Sequence, residues 1–168
     1  QDQMTNLIYG TTDLDELDAE EKAEAEKSFK VELMSNGLHN DESKKDASYD
    51  HFEKECYAFL ASAINSGRWF IWVAEENDKI VSHIYIELIH KVPRPGRETY
   101  PFAYMTDVYT VPEYRGKGIG SKVLREINKW ISENKYEFVI VWPSEDSIPY
   151  YERNGYVHCK EPMEYSPS

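Results

Sequence analysis

Val111-Pro112-Glu113-Tyr114-Arg115-Gly116-Lys117-Gly118-Ile119-Gly120-Ser121 is the stretch on which the reading of this 168-residue chain turns. It sets three glycines at alternate positions between a strand-like run, 102–111, and an amphipathic stretch from about Gly118 to Asn134. The stripe of that stretch is Val123, Leu124, Ile127, Trp130 and Ile131, the spacing of a helix face. Glycines at such a junction remove Cβ atoms, so the backbone can bend tightly and come close to a ligand. A helix start presents N–H groups with no carbonyl to reach and a partial positive charge, which suits a phosphate or pyrophosphate. Arg115 and Lys117 add formal charge at the same place. Two better-known phosphate loops are excluded. A G-x-x-x-x-G-K-[ST] loop needs a Lys after its last glycine, and Ser121 follows Gly120; a G-x-G-x-x-G fingerprint starting at Gly116 would need glycine where Ser121 stands. On these residues alone, a glycine-rich turn that only packs a helix on a sheet stays open.

Outward from the loop, the chain reads as alternating strands and helices. Asn6 to Tyr9 is a short first strand. Thr12 and Asp13 offer N-caps, with Glu16 completing a capping box, for a helix carrying Leu14, Leu17, Ala25, Phe29 and Leu33 and ending near Gly37. Asn36 to Ser48 is polar and loop-like. A second helix is expected over 49–65, with Phe52, Cys56, Phe59, Leu60 and Ala63 on its apolar face; Cys56 there is a small hydrophobe rather than a reactive thiol. Three strand-like runs follow at 69–74, 80–90 and 102–111, the first two joined in hairpin fashion across Asn77-Asp78. Pro93, Pro95 and Gly96 stiffen the loop before the third. After the helix, 138–142 is an apolar run expected to be a strand buried on both faces. A short helix over 147–154 ends at Gly155, and 156–159 is expected as a last strand. Trp69, Trp72 and Trp142 read as core. The order βααβββαβαβ is that of an α+β, mixed-sheet domain.

The net charge is −12, which would repel a phosphate backbone and argues against a nucleic-acid partner. That charge is uneven: residues 1–60 hold 16 Asp/Glu and 6 Lys/Arg, against 15 and 13 in residues 61–168. No apolar run approaches the ~18 residues of a membrane span, so no membrane partner is expected. Cys56 and Cys159 form no CxxC pair, which indicates neither a disulfide framework nor a zinc site, and a cytoplasmic location is expected. Gln1-Asp2-Gln3 ahead of Met4 reads as a processing scar, with 4–168 as one domain. The sequence leaves a homodimer open.

The loop Arg115-Gly116-Lys117-Gly118-Ile119-Gly120 resembles the R/Q-x-x-G-x-G/A acyl-CoA loop of the GCN5-related N-acetyltransferase (GNAT) family. Downstream, Tyr150-Tyr151-Glu152-Arg153-Asn154-Gly155-Tyr156 is similar to that family's closing F/Y-Y-E-K/R-x-G-F motif, with Tyr156 in place of the commoner Phe. Ser144 departs from the pattern, because many relatives carry Asn there to help hold the cofactor. The resemblance implies a strongly twisted mixed sheet flanked by helices and splayed at the acyl-CoA site. It implies an acyltransferase that uses acetyl-CoA as co-substrate and no metal. Backbone groups of Gly116, Lys117, Gly118, Ile119, Gly120 and Ser121, with Arg115, would hold the pyrophosphate, and the Val111 backbone would pair with the pantetheine arm.

Acetyl transfer to an amine requires a neutral nucleophile, although an alkyl ammonium has a pKa of roughly 10. It also requires a donor for the developing oxyanion and a proton for the departing thiolate. The resemblance sets Tyr151 beside the sulfur as the acid and Asp107, on the strand before the loop, as the base. Two-residue alternation puts Met105, Asp107, Tyr109 and Val111 on one face of that strand. His83, Tyr85 and Glu87 alternate on the 80–90 strand as a polar wall of the acceptor pocket or as half-exposed strand residues; four residues span roughly 13 Å there, so His83 and Glu87 cannot share one metal ion. The acidic first third favours a cationic acceptor. A non-catalytic acyl-CoA-binding regulatory module and acetylation of a protein amine are the alternatives.

Overall fold

Asn77 and Asp78, both at positive φ (51° and 59°), make the two-residue turn that the right-handed twist of a hairpin demands. They join β2 (Trp69–Glu76) to β3 (Lys79–Ile89), with Glu76 facing Lys79 as the closing pair. The computed structural model describes residues 5–9 by their backbone, and residues 30–34 and 49–167. The expected capping box at 12–16, most of the first helix and the 36–48 loop lie outside the described residues, as do the first four. Within them the chain forms β1 (Thr5–Tyr9), a helical segment at 30–34, α1 (Tyr49–Ala63), β2, β3, β4 (Phe102–Thr110), a 3-10 turn (Pro112–Tyr114), α2 (Ile119–Glu133), β5 (Val139–Val141), a second 3-10 turn (Glu145–Ser147) and α3 (Ile148–Arg153). The five strands form one sheet in the order β1-β2-β3-β4-β5. The first three pairings are antiparallel, and β5 returns parallel to β4 after the α2 crossover, so the sheet is mixed and the class is α+β. No helix among the described residues is long and apolar enough to cross a membrane.

Helices cover both faces. On one, Val123, Leu124, Ile127 and Ile131 of α2 bury against Trp72, Ile84, Ile86, Leu88, Ala103 and Met105. On the other, Leu33, Met34 and Leu60 bury against Ile71, Val73, Ile80 and Tyr85. The 3.6-residue stripe of α2 and the even-numbered face of β3 thus meet as their spacing requires.

Three expectations fail for stated reasons. β5 pairs only with β4 among the described strands, so it is an edge: all three of its residues are half-buried, Phe138 is 48% exposed, and Trp142, expected in the core, is 65% exposed. Residues 156–159 form no strand. There α3 closes in a Schellman arrangement, with the Gly155 N–H donating to the Glu152 carbonyl and the Tyr156 N–H to the Tyr151 carbonyl, and Gly155 supplies the φ of +88° it needs. The Tyr156 hydroxyl then donates to Asn128 Oδ1 of α2, which ties residue 156 to the helix layer. The third failure is the alternation on β4. Tyr85 pairs with Thr106 but His83 with Tyr109, so Asp107 and Val108 both stand opposite Ile84 in a β-bulge. Met105 and Val108 pack toward α2, whereas Tyr109 faces the other side beside His83.

Ile127 is 0% exposed at the centre of the α2 contact. Ile127→Ala should cost about 2–5 kcal/mol of stability, read as a lower urea midpoint at unchanged slope; a shift equivalent to less than about 1 kcal/mol would move the centre of the core elsewhere.

Candidate active site

The sheet opens because β4 and β5 pair only through Ala103, Tyr104 and Met105 against Val139, Ile140 and Val141. Beyond these, the two strands part around a cleft of about 790 Å³. Its walls include Asp107, Val108 and Thr110 from β4, Trp142 and Ser144 after β5, Tyr150 and Tyr151 from α3, and the loop residues Arg115, Gly116, Gly118, Ile119, Gly120 and Ser121.

The loop is built as its glycines suggest. The 3-10 turn is closed by the Tyr114 N–H donating to Val111 O and the Arg115 N–H to Pro112 O. Gly116 and Gly118 then take φ of 73° and 77°, values an L side chain adopts only under strain. Gly118 is the N-cap of α2 and offers no side chain to cap it, and the helical ladder begins with the Lys122 N–H donating to Gly118 O. The N–H groups of Ile119, Gly120 and Ser121 therefore have no helical carbonyl to reach, and they lie at the positive end of a 15-residue helix. Gly120 has a different reason to be glycine: a Cβ there would stand 3.3 Å from Thr110 Oγ1 and 3.4 Å from the Tyr150 hydroxyl.

Arg115 lines the cleft, with Nε donating to the Thr110 carbonyl and the guanidinium over the Tyr109 ring. Two residues expected at the cofactor do not line it. The Lys117 ammonium lies over the Tyr114 ring, 4.9 Å from its centroid. The Val111 N–H donates to Val81 O of β3, so it is not available to a pantetheine arm. β5 pairs with β4 only as far as Met105, and the β4 edge beyond it is where an added strand would pair.

The closing motif does more than supply Tyr151. The Tyr150 hydroxyl donates to Gly120 O, and Asn154 Nδ2 donates to Ser121 Oγ; with Tyr156 on Asn128, three bonds fasten the six-residue α3 to α2. Tyr150 thus borders the same cleft as Tyr151. Tyr151 is buried, packed edge-on to Tyr150, and its hydroxyl bonds to no other described residue. Desolvation pushes its pKa up to about 12 and raises those of Tyr150 and Tyr156 as well. Ser144, where relatives carry Asn, borders the cleft with Oγ donating to Ser147 Oγ.

Asp107 sits on the bulge at a φ of 49°, a left-handed conformation that Asp tolerates better than most residues. Its carboxylate is 39% exposed, borders the cleft, and has Oδ2 3.4 Å from His83 Nε2. His83 and Tyr85 are not half-exposed: both are buried beneath the face that α1 and the 30–34 segment cover. Glu87 is ion-paired with Arg68 and lies apart from them. Cys56 is half-buried, and desolvation followed by the Asp107 charge raises its pKa, which keeps it a thiol. Thr110, Trp142 and the fastening role of Tyr150 were not anticipated; the cue was the aromatic and hydroxyl content beside each motif, which periodicity alone cannot rank.

A family model of the acetyltransferase (GNAT) domain matches residues 31–159. No curated protein sequence matches the chain. Among solved structures, the chain is similar to a Clostridium acetobutylicum protein described as a predicted acetyltransferase with acetyl-CoA (21% identity, 98% and 96% of the two chains covered, TM-score 0.65). It is also similar to glucosamine-6-phosphate N-acetyltransferase from Arabidopsis thaliana (18% identity, 96% and 98% covered, TM-score 0.59). A third likeness is to an aminoglycoside acetyltransferase from an uncultured soil metagenomic sample, in complex with sisomicin (14% identity, 99% and 95% covered, TM-score 0.61). At these identities the structures speak for the fold; the family model, which spans most of the chain, speaks for descent, and this protein belongs to the GNAT acetyltransferase family of transferase enzymes.

Proposed function

We propose that the protein moves the acetyl group of acetyl-CoA to a primary amine by direct attack on the thioester, and that the acceptor is a cationic small molecule. The observation that carries this reading is the convergence on one cleft of the uncapped start of α2, the Tyr151 hydroxyl and the Asp107 carboxylate. The N–H groups of Gly116, Gly118, Ile119, Gly120 and Ser121 and the Arg115 guanidinium bind the pyrophosphate, and the β4 edge beyond Met105 receives the pantetheine arm. Asp107, directly or through water, relieves the ammonium of a proton; the amine nitrogen bonds to the thioester carbon; Tyr151 donates to the leaving thiolate. Its raised pKa suits the acid role, since the phenol stays protonated throughout the neutral range. The cationic acceptor rests on the 16 acidic residues of the first 60 and is supported by the sisomicin complex of the metagenomic neighbour.

Screening amines with acetyl-CoA and a thiol-detecting dye tests the activity. Acetyl-CoA bound without any amine consumed would favour the regulatory module instead. In calorimetry, Gly118→Asp should weaken acetyl-CoA by on the order of tenfold or more, about 1.4 kcal/mol, since it sets a carboxylate at the anion site; equal affinity would remove the loop from the cofactor site.

Tyr151→Phe should lower kcat by roughly 10²-fold or more at unchanged acetyl-CoA affinity. Because the Tyr151 pKa is held near 12, the wild-type rate should show no alkaline fall between pH 8 and pH 10, where an exposed phenol with a pKa of about 10 would begin to ionise. A limb centred near 10 that vanishes in the Phe variant would contradict the buried donor.

For the preferred amine, kcat/KM should fall as salt is raised from about 10 to 300 mM, because exposed charges are screened beyond roughly 8 Å at physiological strength. A flat response, or a best substrate of net negative charge, would refute electrostatic selection.

A further inference from the structure

We propose that His83 is a positioning residue for the acetyl transfer: a buried imidazole that orients the Asp107 carboxylate at the cleft and forms with it a pair able to carry the amine's proton. This rests on the reading of Asp107 as base given above.

Two features of the molecule have no other account. His83 is 0% exposed, and neither ring nitrogen has a hydrogen-bond partner among the described residues, in a class of buried polar atoms that nearly always has one. The charged atom beside it is Asp107 Oδ2, 3.4 Å from Nε2, a distance that a small carboxylate rotation closes to a hydrogen bond. The second feature is the bulge. Regular pairing would leave Asp107 on the α2 face with Met105; instead the backbone takes a φ of 49° and two β4 residues share one partner. That departure, of the kind that costs on the order of 1–3 kcal/mol and clusters at functional sites, brings the carboxylate to His83 while leaving it 39% exposed to the cleft. The strain and the unsatisfied imidazole thus point at each other.

The imidazole is also held in aim. It lies edge-on to the Tyr85 ring at 5.3 Å and tilted against the Tyr109 ring at 5.5 Å, with Val73 opposite on β2. Among the described residues, the titratable and charged groups around the pair are Tyr85 on β3, Tyr109 on β4 with Arg115 over its ring, and Cys56 on α1; Lys30, buried on the helical segment of this face, lies over the Tyr57 ring. Desolvation first and the Asp107 charge second raise the pKa of both Tyr85 and Cys56, so the field of the carboxylate reaches α1 and β3 alike.

The protons balance as follows. The ammonium gives up one proton to the Asp107–His83 pair, which passes it to solvent through the exposed carboxylate. The nitrogen lone pair forms the C–N bond, and the C–S bond breaks with its electrons on sulfur. Tyr151 protonates the sulfur and is restored by the second proton of the nitrogen.

The test uses the full chain, acetyl-CoA and the fastest amine of the dye screen. His83→Phe should lower kcat about as far as Asp107→Asn, on the order of 10²-fold, with the KM for acetyl-CoA unchanged, and the double variant should be no slower than either. His83→Gln, which returns a donor near Nε2 but cannot be protonated, should recover rate at high pH, where the amine is already neutral, and not at low pH. Additive losses, or a wild-type pH profile in both His83 variants, would overturn the proposal. Should the Phe variant fail to fold, the imidazole nitrogen resonances of His83 in the wild type and in Asp107→Asn decide it: resonances that do not move overturn the pairing. An enzyme that acetylates no amine would sink the base reading of Asp107, yet the resonances would still report whether the two side chains are coupled.

Discussion

Every helix begins with N–H groups that its own carbonyls cannot reach, and in this protein the start of α2 is left that way. Gly118 stands at the N-cap without a side chain to offer, and the next three residues present their amides to the gap between β4 and β5. Water or an anion must meet those amides, so the sheet cannot close over them. The parting of the strands after Met105 and Val141, the positive φ at Gly116 and Gly118, and the bare α carbon of Gly120 against Thr110 are the forms that this one requirement takes.

A cleft held open in this way needs a wall that does not depend on sheet pairing. The six residues of α3 are too few to be stable as a free helix, and their position comes from bonds to α2 through Tyr150, Asn154 and Tyr156 and from the Schellman closure at Gly155. The glycine loop and the closing motif are consequently one mechanical unit, although some 30 residues separate them in sequence. Tyr151 sits within that unit, where burial keeps its hydroxyl protonated.

Much of this was legible from pattern. The hairpin at Asn77-Asp78, the amphipathic α2 and the loop between β4 and α2 follow from local rules of turn, period and glycine that operate over a few residues. What escaped was set by long-range pairing. Phe138 to Trp142 looks like a doubly buried strand because its residues are apolar, and only the absence of a described second neighbour makes it an edge. Val111 looks like the last outward rung of β4 until its N–H is found on Val81. His83 and Tyr85 alternate as a half-exposed face would, but the cover supplied by α1 and residues 30–34 comes from far away in the chain. No run of residues in β4 announces the bulge, because a one-residue excess shows only against a partner strand.

That excess residue sets sheet quality against active-site geometry. Removing a single residue from the 106–108 segment would restore unbroken alternation between β3 and β4 and relieve a left-handed backbone, changes that stabilise a sheet. The same deletion would change where the carboxylate stands relative to His83 and the cleft, while the strand beyond it, from Tyr109 to the glycine loop, keeps the faces it now presents. In-frame loss of one codon here would thus leave a well-folded protein with a dismantled site. A screen that selects for thermal endurance alone would be drawn toward that shorter chain.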